Sequence, residues 1–153
     1  MKKIFFASAF IKKLHYFYKS IKIDLLKIEG RCYMSSLEQQ LRKEKLLPLY
    51  TVTDLSLLPI AEKILLENNL HFIEVTYRSD LASTAIRQLS DSDKLIVGAG
   101  TVCDLNTAKD AIASGAKFIV MPGLNIEVIE YCVDNNIPVY PGAVTPSEII
   151  QAM

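Results

Sequence analysis

From Leu46 onward, short apolar runs alternate with longer stretches in which apolar residues recur every three or four positions. The runs occupy residues 46–52, 71–77, 95–99, 117–121 and 137–140. Unbroken apolar runs of this length predict buried strands. Their starts lie about 20–25 residues apart, the room needed for a strand, a turn, a helix and a second turn. The intervening stretches have helical spacing. Leu57, Leu58, Ala61, Ile64 and Leu65 share one face, as do Leu81, Ala82, Ala85, Ile86 and Leu89. A third helix is expected from Asp104 to Gly115 around Ala108, Ala111 and Ile112, with Asp as N-cap and Gly just past the end. A fourth runs from Asn125 towards Asn135 and Asn136. A fifth opens on Thr145-Pro146-Ser147-Glu148, a capping box with Pro at the first helical position.

Strand and helix thus alternate five times. Covered, continuously apolar strands imply parallel pairing with right-handed crossovers, hence an α/β fold. Two closures satisfy the pattern, an open doubly wound sheet and a (β/α)₈ barrel. No G-x-G-x-x-G follows the first strand, which argues against a dinucleotide-binding unit.

Charge divides the chain differently. Residues 1–45 hold 11 of the 17 Lys and Arg but only 4 of the 17 Asp and Glu. The excess of base there is matched by an excess of acid beyond, so the zero net charge conceals two unlike segments. Residues 1–33 form a basic leader. Lys2-Lys3 before a short apolar stretch suggests a secretory signal, but Lys12-Lys13 interrupts it at once. A basic surface-lying helix is a second reading. The favoured one is a poorly ordered or mis-started leader, with Met34 as the functional start of a domain over residues 34–153. Residues 35–45 read as a capping helix with Leu37 and Leu41 one turn apart. The balanced charge, the absence of Trp and 8% aromatic content exclude a strongly cationic or base-stacking nucleic-acid binder. No apolar run is long enough to suggest a membrane span. Cys32, Cys103 and Cys132 make no metal or disulfide spacing, as expected of reduced thiols in the cytoplasm.

The ends of the predicted strands carry the candidate chemistry. Glu74, Thr76 and Arg78 alternate with Ile73, Val75 and Tyr77, so a carboxylate and a guanidinium are expected on one face, pointing into a barrel. They are either an internal ion pair or a working site. Gly98 and Gly100 either leave the backbone open to a ligand or form a tight turn, and Thr101 follows with a hydroxyl suited to an anion. Pro122-Gly123 and Pro141-Gly142 echo each other between strand and helix.

Together, Phe72-Ile73-Glu74-Val75-Thr76-Tyr77-Arg78-Ser79, Val97-Gly98-Ala99-Gly100-Thr101-Val102, Met121-Pro122-Gly123-Leu124 and Pro138-Val139-Tyr140-Pro141-Gly142 resemble the 2-keto-3-deoxy-6-phosphogluconate (KDPG) aldolase family, which also cleaves 4-hydroxy-2-oxoglutarate. The resemblance spans about residues 35–153. It implies a TIM (β/α)₈ barrel, a homotrimer in the full-length family, a small keto-acid substrate and Schiff-base chemistry without metal or cofactor. By the same resemblance Glu74 matches the general acid/base, Arg78 and Thr101 match contacts to the substrate carboxylate, and Pro122 lines the pyruvate site.

The family's nucleophilic lysine lies in a Lys-Phe-Phe-Pro run on the sixth strand, and that run does not occur in this chain. About five βα units of a partial barrel are expected, without the Schiff-base lysine. The expectation is a C-terminally truncated aldolase, poorly stable and inactive alone. A non-catalytic half-barrel that binds a partner, and a 2-keto-3-deoxy-6-phosphogalactonate aldolase, are the alternatives.

Overall fold

The structure, a computed structural model, describes residues 36–152. The basic leader expected over residues 1–33 lies outside them. The chain falls into two units that part after Pro48. In the first, Ser36–Glu44 form helix α1, with an ion pair one turn apart from Arg42 Nη2 to Glu38 Oε1 at 3.0 Å.

The second unit contains strand β1 (Leu49–Tyr50), a 3₁₀ turn (Leu55–Leu57), α2 (Leu58–Glu67), β2 (Phe72–Thr76), α3 (Ala82–Asp91), β3 (Ile96–Gly100), α4 (Leu105–Ala113), β4 (Ile119–Val120), α5 (Ile126–Asp134), β5 (Val139–Tyr140) and α6 (Pro146–Gln151). Each predicted strand and helix is present. The outer strands are shorter than their apolar runs. The 46–52 run yields only Leu49–Tyr50, paired with Glu74 and Val75. Pro48 has no N–H to give a ladder. Pro138 likewise lends β5 only its carbonyl, which accepts from Ile119 N at 2.9 Å.

The five strands are parallel and lie in chain order, β1-β2-β3-β4-β5. A doubly wound sheet reverses its strand order at a switch point, and this sheet does not. Successive right-handed crossovers in one direction put the helices that join these strands on the same face, as in a barrel wall. The core agrees. Ile73, Val75, Val97, Ala99 and Ile119 cluster with Ala82, Ala85, Ile86 and Leu89 of α3, Ala108 and Ala111 of α4, and Val128 and Cys132 of α5. Small Ala residues on the helices let them lie close to the strands.

The alternate strand residues face the other way. Phe72, Phe118 and Tyr140 make a row of rings across β2, β4 and β5, with centroids 6.2 and 6.1 Å apart. Phe72 and Phe118 are fully buried, and each such ring contributes roughly 1.5–3 kcal/mol of hydrophobic stabilisation. Glu74 and Thr76 continue this inner face towards the carboxyl ends of the strands.

The helices begin where the side-chain caps dictate. Asp104 Oδ1 accepts from Thr107 N at 2.9 Å and Asn125 Oδ1 from Val128 N at 3.4 Å. Thr145 and Glu148 cap each other's backbone at α6. Gly115, at φ 106, turns the chain out of α4.

Candidate active site

Strand alternation puts Glu74 on the inner face of β2, where its neighbours leave it 5% exposed. Among the described residues no side chain or backbone group gives its carboxylate a hydrogen bond. Burial raises its pKa from 4.5 to about 7, and the charge of Arg78 opposes the rise. A carboxyl in this state exchanges its proton near neutrality.

Arg78 differs from expectation. β2 ends at Thr76, the chain turns, and strict alternation ends with it. Arg78 is exposed and makes no salt bridge to Glu74, so the internal ion pair is absent. Its guanidinium lines an open cleft of about 530 Å³ with Tyr77, Ser79, Asp80, Ser83 and Asp110. In that cleft Tyr77 Oη donates to Asp110 Oδ2 at 2.8 Å. Burial first, and then this bond, push the Tyr77 phenol well above its ordinary value.

Thr101 lies half-buried just past β3, at φ 59. This left-handed backbone is unfavourable for a β-branched residue and costs of order 1–3 kcal/mol. The strain is held by the strand ends on either side. Tyr77 N donates to Gly100 O at 2.8 Å, and Val102 N to Val120 O at 3.3 Å. The first of these bonds places Arg78 and Thr101 on either side of one β2–β3 link.

Pro122 is exposed at the end of β4. It borders a second depression, of about 220 Å³, with Val102, Cys103, Met121, Gly123, Leu124 and Asn125. Met121 N donates to Tyr140 O and Gly142 N returns a bond to Met121 O, both at 3.0 Å. Gly142 is needed there, because a Cβ would run into the carbonyl of Pro122. Arg78, Thr101 and Pro122 thus follow the carboxyl ends of three adjacent strands, and Glu74 lies midway along β2. Of the two depressions Arg78 lines the larger and Pro122 the smaller, and Glu74 and Thr101 line neither.

Gly98 and Gly100 correct the sequence reading. Neither leaves its backbone bare, because Phe118 and the Glu74 carboxylate lie over them. One feature of the face was missed altogether. Thr51 and Thr76 share a hydroxyl hydrogen bond of 2.7 Å across β1 and β2, beside Glu74. Extending the period-two alternation of the first strand to Thr51 would have found it.

Every lysine among the described residues is exposed, and none contacts Glu74. Among the same residues, no three His, Cys, Asp or Glu side chains converge as metal ligands would. Among the described residues no helix is long and apolar enough to cross a membrane.

A sheet wound in one direction, with its polar residues gathered at the carboxyl ends of its strands, is the wall of a (β/α)₈-barrel enzyme. Residues 37–153 match the family model described as KDPG and KHG aldolase, and the chain belongs to that family. It is 36% identical over 113 residues to the 2-dehydro-3-deoxy-phosphogluconate aldolase of Haemophilus influenzae, covering 72% of this chain and 53% of that protein. The enzyme of the same name from Pseudomonas aeruginosa is 37% identical over 113 residues, with 72% and 51% covered. A crystal structure of Legionella pneumophila KDPG aldolase, with pyruvate captured as a covalent carbinolamine, superposes with a TM-score of 0.66 at 28% identity, covering 69% of this chain and 52% of that one. The chain spans about half the length of the relatives it matches.

Proposed function

We propose that this chain supplies the proton-transfer and carboxylate-holding part of a site for aldol cleavage. The substrates are 2-keto-3-deoxy-6-phosphogluconate, giving pyruvate and glyceraldehyde 3-phosphate, and 4-hydroxy-2-oxoglutarate, giving pyruvate and glyoxylate. A lysine amine adds to the keto carbon, the carbinolamine loses water, and the resulting iminium accepts the electron pair of the breaking carbon–carbon bond. Glu74 gives a proton to the departing water and takes one from the hydroxyl on the carbon that becomes the aldehyde. Arg78 holds the substrate carboxylate with its forked donors, aided by the Thr101 hydroxyl, and Pro122 walls the pyruvate portion. The imine is its own electron sink, so the scheme calls on no metal or cofactor.

The observation that carries this reading is Glu74 itself, a carboxyl buried on the inner face of β2 and holding its proton to about pH 7. Both of its protonation states are then populated at neutral pH, as a group that serves as acid and then base requires. The exposed lysines of residues 36–152 leave the amine to come from outside those residues. In this scheme residues 36–152 are inactive alone, and the completed barrel works as a cytoplasmic homotrimer.

The test joins the chain to the other half of a relative. The C-terminal half of the Haemophilus influenzae enzyme is added as a separate polypeptide, with pyruvate and borohydride to reduce any imine. Mass spectrometry then reads the adduct. Adduct should form on the added half only when the chain is present, slow strongly with Glu74→Gln, and need more pyruvate with Arg78→Ala. A stable complex that forms no adduct, or adduct indifferent to both substitutions, defeats the reading.

A further inference from the structure

Past Ile96, which pairs with Phe72, β3 presents no side chain to the inner face. Its remaining inner positions are Gly98 and Gly100, both buried and in register with Glu74 and Thr76 of β2. Neither glycine has a positive φ; Gly115 is the glycine that does among the described residues. Alanine can adopt the same strand backbone, and glycine weakens a strand interior. Backbone conformation therefore does not account for either residue, whereas space does. A Cβ on Gly98 would clash with the Phe118 ring. A Cβ on Gly100 would overlap Glu74 Oε1 and lie 2.6 Å from Cδ and 2.7 Å from Cγ.

Neighbours on both sides thus lean onto one strip without side chains. Phe118, just before β4, lays its ring over Gly98, and Glu74 of β2 lays its carboxylate over Gly100. The two places are separated by one pleat repeat, about 7 Å. We propose that Gly100 is a positioning residue, whose missing side chain is the seat of the Glu74 carboxylate against the β3 backbone, with Phe118 over Gly98 filling the next place along the strip. The seat holds Glu74 out of water by shape alone, without a hydrogen bond that would fix its protonation state. Its catalytic meaning rests on the aldol cleavage proposed above, but the seat is tested without substrate.

The test is a carboxyl titration of the full 153-residue chain, labelled at glutamate Cδ with carbon-13 and followed by NMR. Glu74→Gln identifies the resonance. Glu74 should titrate near pH 7 in the unaltered chain. In Gly100→Ala its midpoint should fall towards the ordinary glutamate value of about 4.3, because the methyl group drives the carboxylate into water. Gly123→Ala is the control, since a Cβ there meets nothing within 4 Å, and should leave the midpoint in place. A folded Gly100→Ala chain with an unmoved midpoint overturns the proposal. If Gly100→Ala does not fold, the double variant Glu74→Ala/Gly100→Ala decides. Recovery of the circular dichroism of the parent shows that the clash was with Glu74, and continued unfolding overturns the proposal. Failure of the aldolase reading has a different sign, imine trapping indifferent to Glu74→Gln with the titrations as expected.

Discussion

Burial of a carboxyl with no donor to receive it has a thermodynamic signature that Glu74 should display. Its folded pKa of about 7 lies above the unfolded value of 4.5. Below pH 4.5 both states hold the proton, and the favourable contribution is fully present. Between 4.5 and 7 the unfolded chain releases a proton that the folded chain keeps, so stability falls as pH rises, by roughly 3 kcal/mol in all. Glu74→Gln removes this dependence. Urea unfolding at pH 5 and pH 8 should show the gap between the two stabilities narrowing by roughly 2–3 kcal/mol in the variant. Superimposable pH profiles would mean that Glu74 is not buried as described. The sequence foretold the inward direction of Glu74 from its place in an alternating run. It did not foretell that Arg78 lies exposed past the end of β2 without an ion pair to Glu74, because the alternation ends where the strand does, and Tyr77 does not mark that end. Nor could it give the strained backbone of Thr101, since threonine is among the residues least expected at positive φ.

Elements meet at the site through contacts that a single atom can spoil. The ends of β4 and β5 close on each other where Gly142 lies against the carbonyl of Pro122. Gly142→Ala should therefore destabilise by about 1–3 kcal/mol, as overpacking does, and shift the amide signals of residues 121–123. Gly123→Ala, with open space around it, should do neither. Asn125 joins two elements at once, capping α5 through Oδ1 and donating from Nδ2 to Cys103 O at 3.0 Å. Asn125→Ala should cost about 1 kcal/mol for the cap alone. Asn125→Asp should keep the cap while losing the Nδ2 donor, and so separate the two contributions in urea unfolding. At this scale the sequence is most legible. Asp104, Asn125 and the Thr145–Glu148 box each start the helix that their chemistry predicts. Strand lengths are less so, because an apolar run reports burial whereas a strand requires paired backbone. Leu46 is exposed, Leu47 only half-buried, and both lie outside β1.

For the whole molecule the periodicity alone left the closure open. Alternating strands and helices demanded parallel pairing, which both candidate closures met; the resemblance carried by the strand-end motifs pointed to the barrel, and the strand order agrees. That order also sets where the sheet is firm. β2 and β3 are five residues long, have a strand on each side and are almost wholly buried, while β1 and β5 are two residues long with one neighbour each. Amide hydrogen exchange should find the slowest protons in residues 72–76 and 96–100 and the fastest strand protons in 49–50 and 139–140. Comparable protection across all five strands would contradict this gradient. The same succession of neighbours bears on how the chain is made. Each strand lies beside the one translated just before it, so every ladder can close as soon as its second strand has left the ribosome, with no wait for a distant partner. Assembly can therefore proceed in the direction of synthesis, one βα unit at a time, with short loops to close at every step.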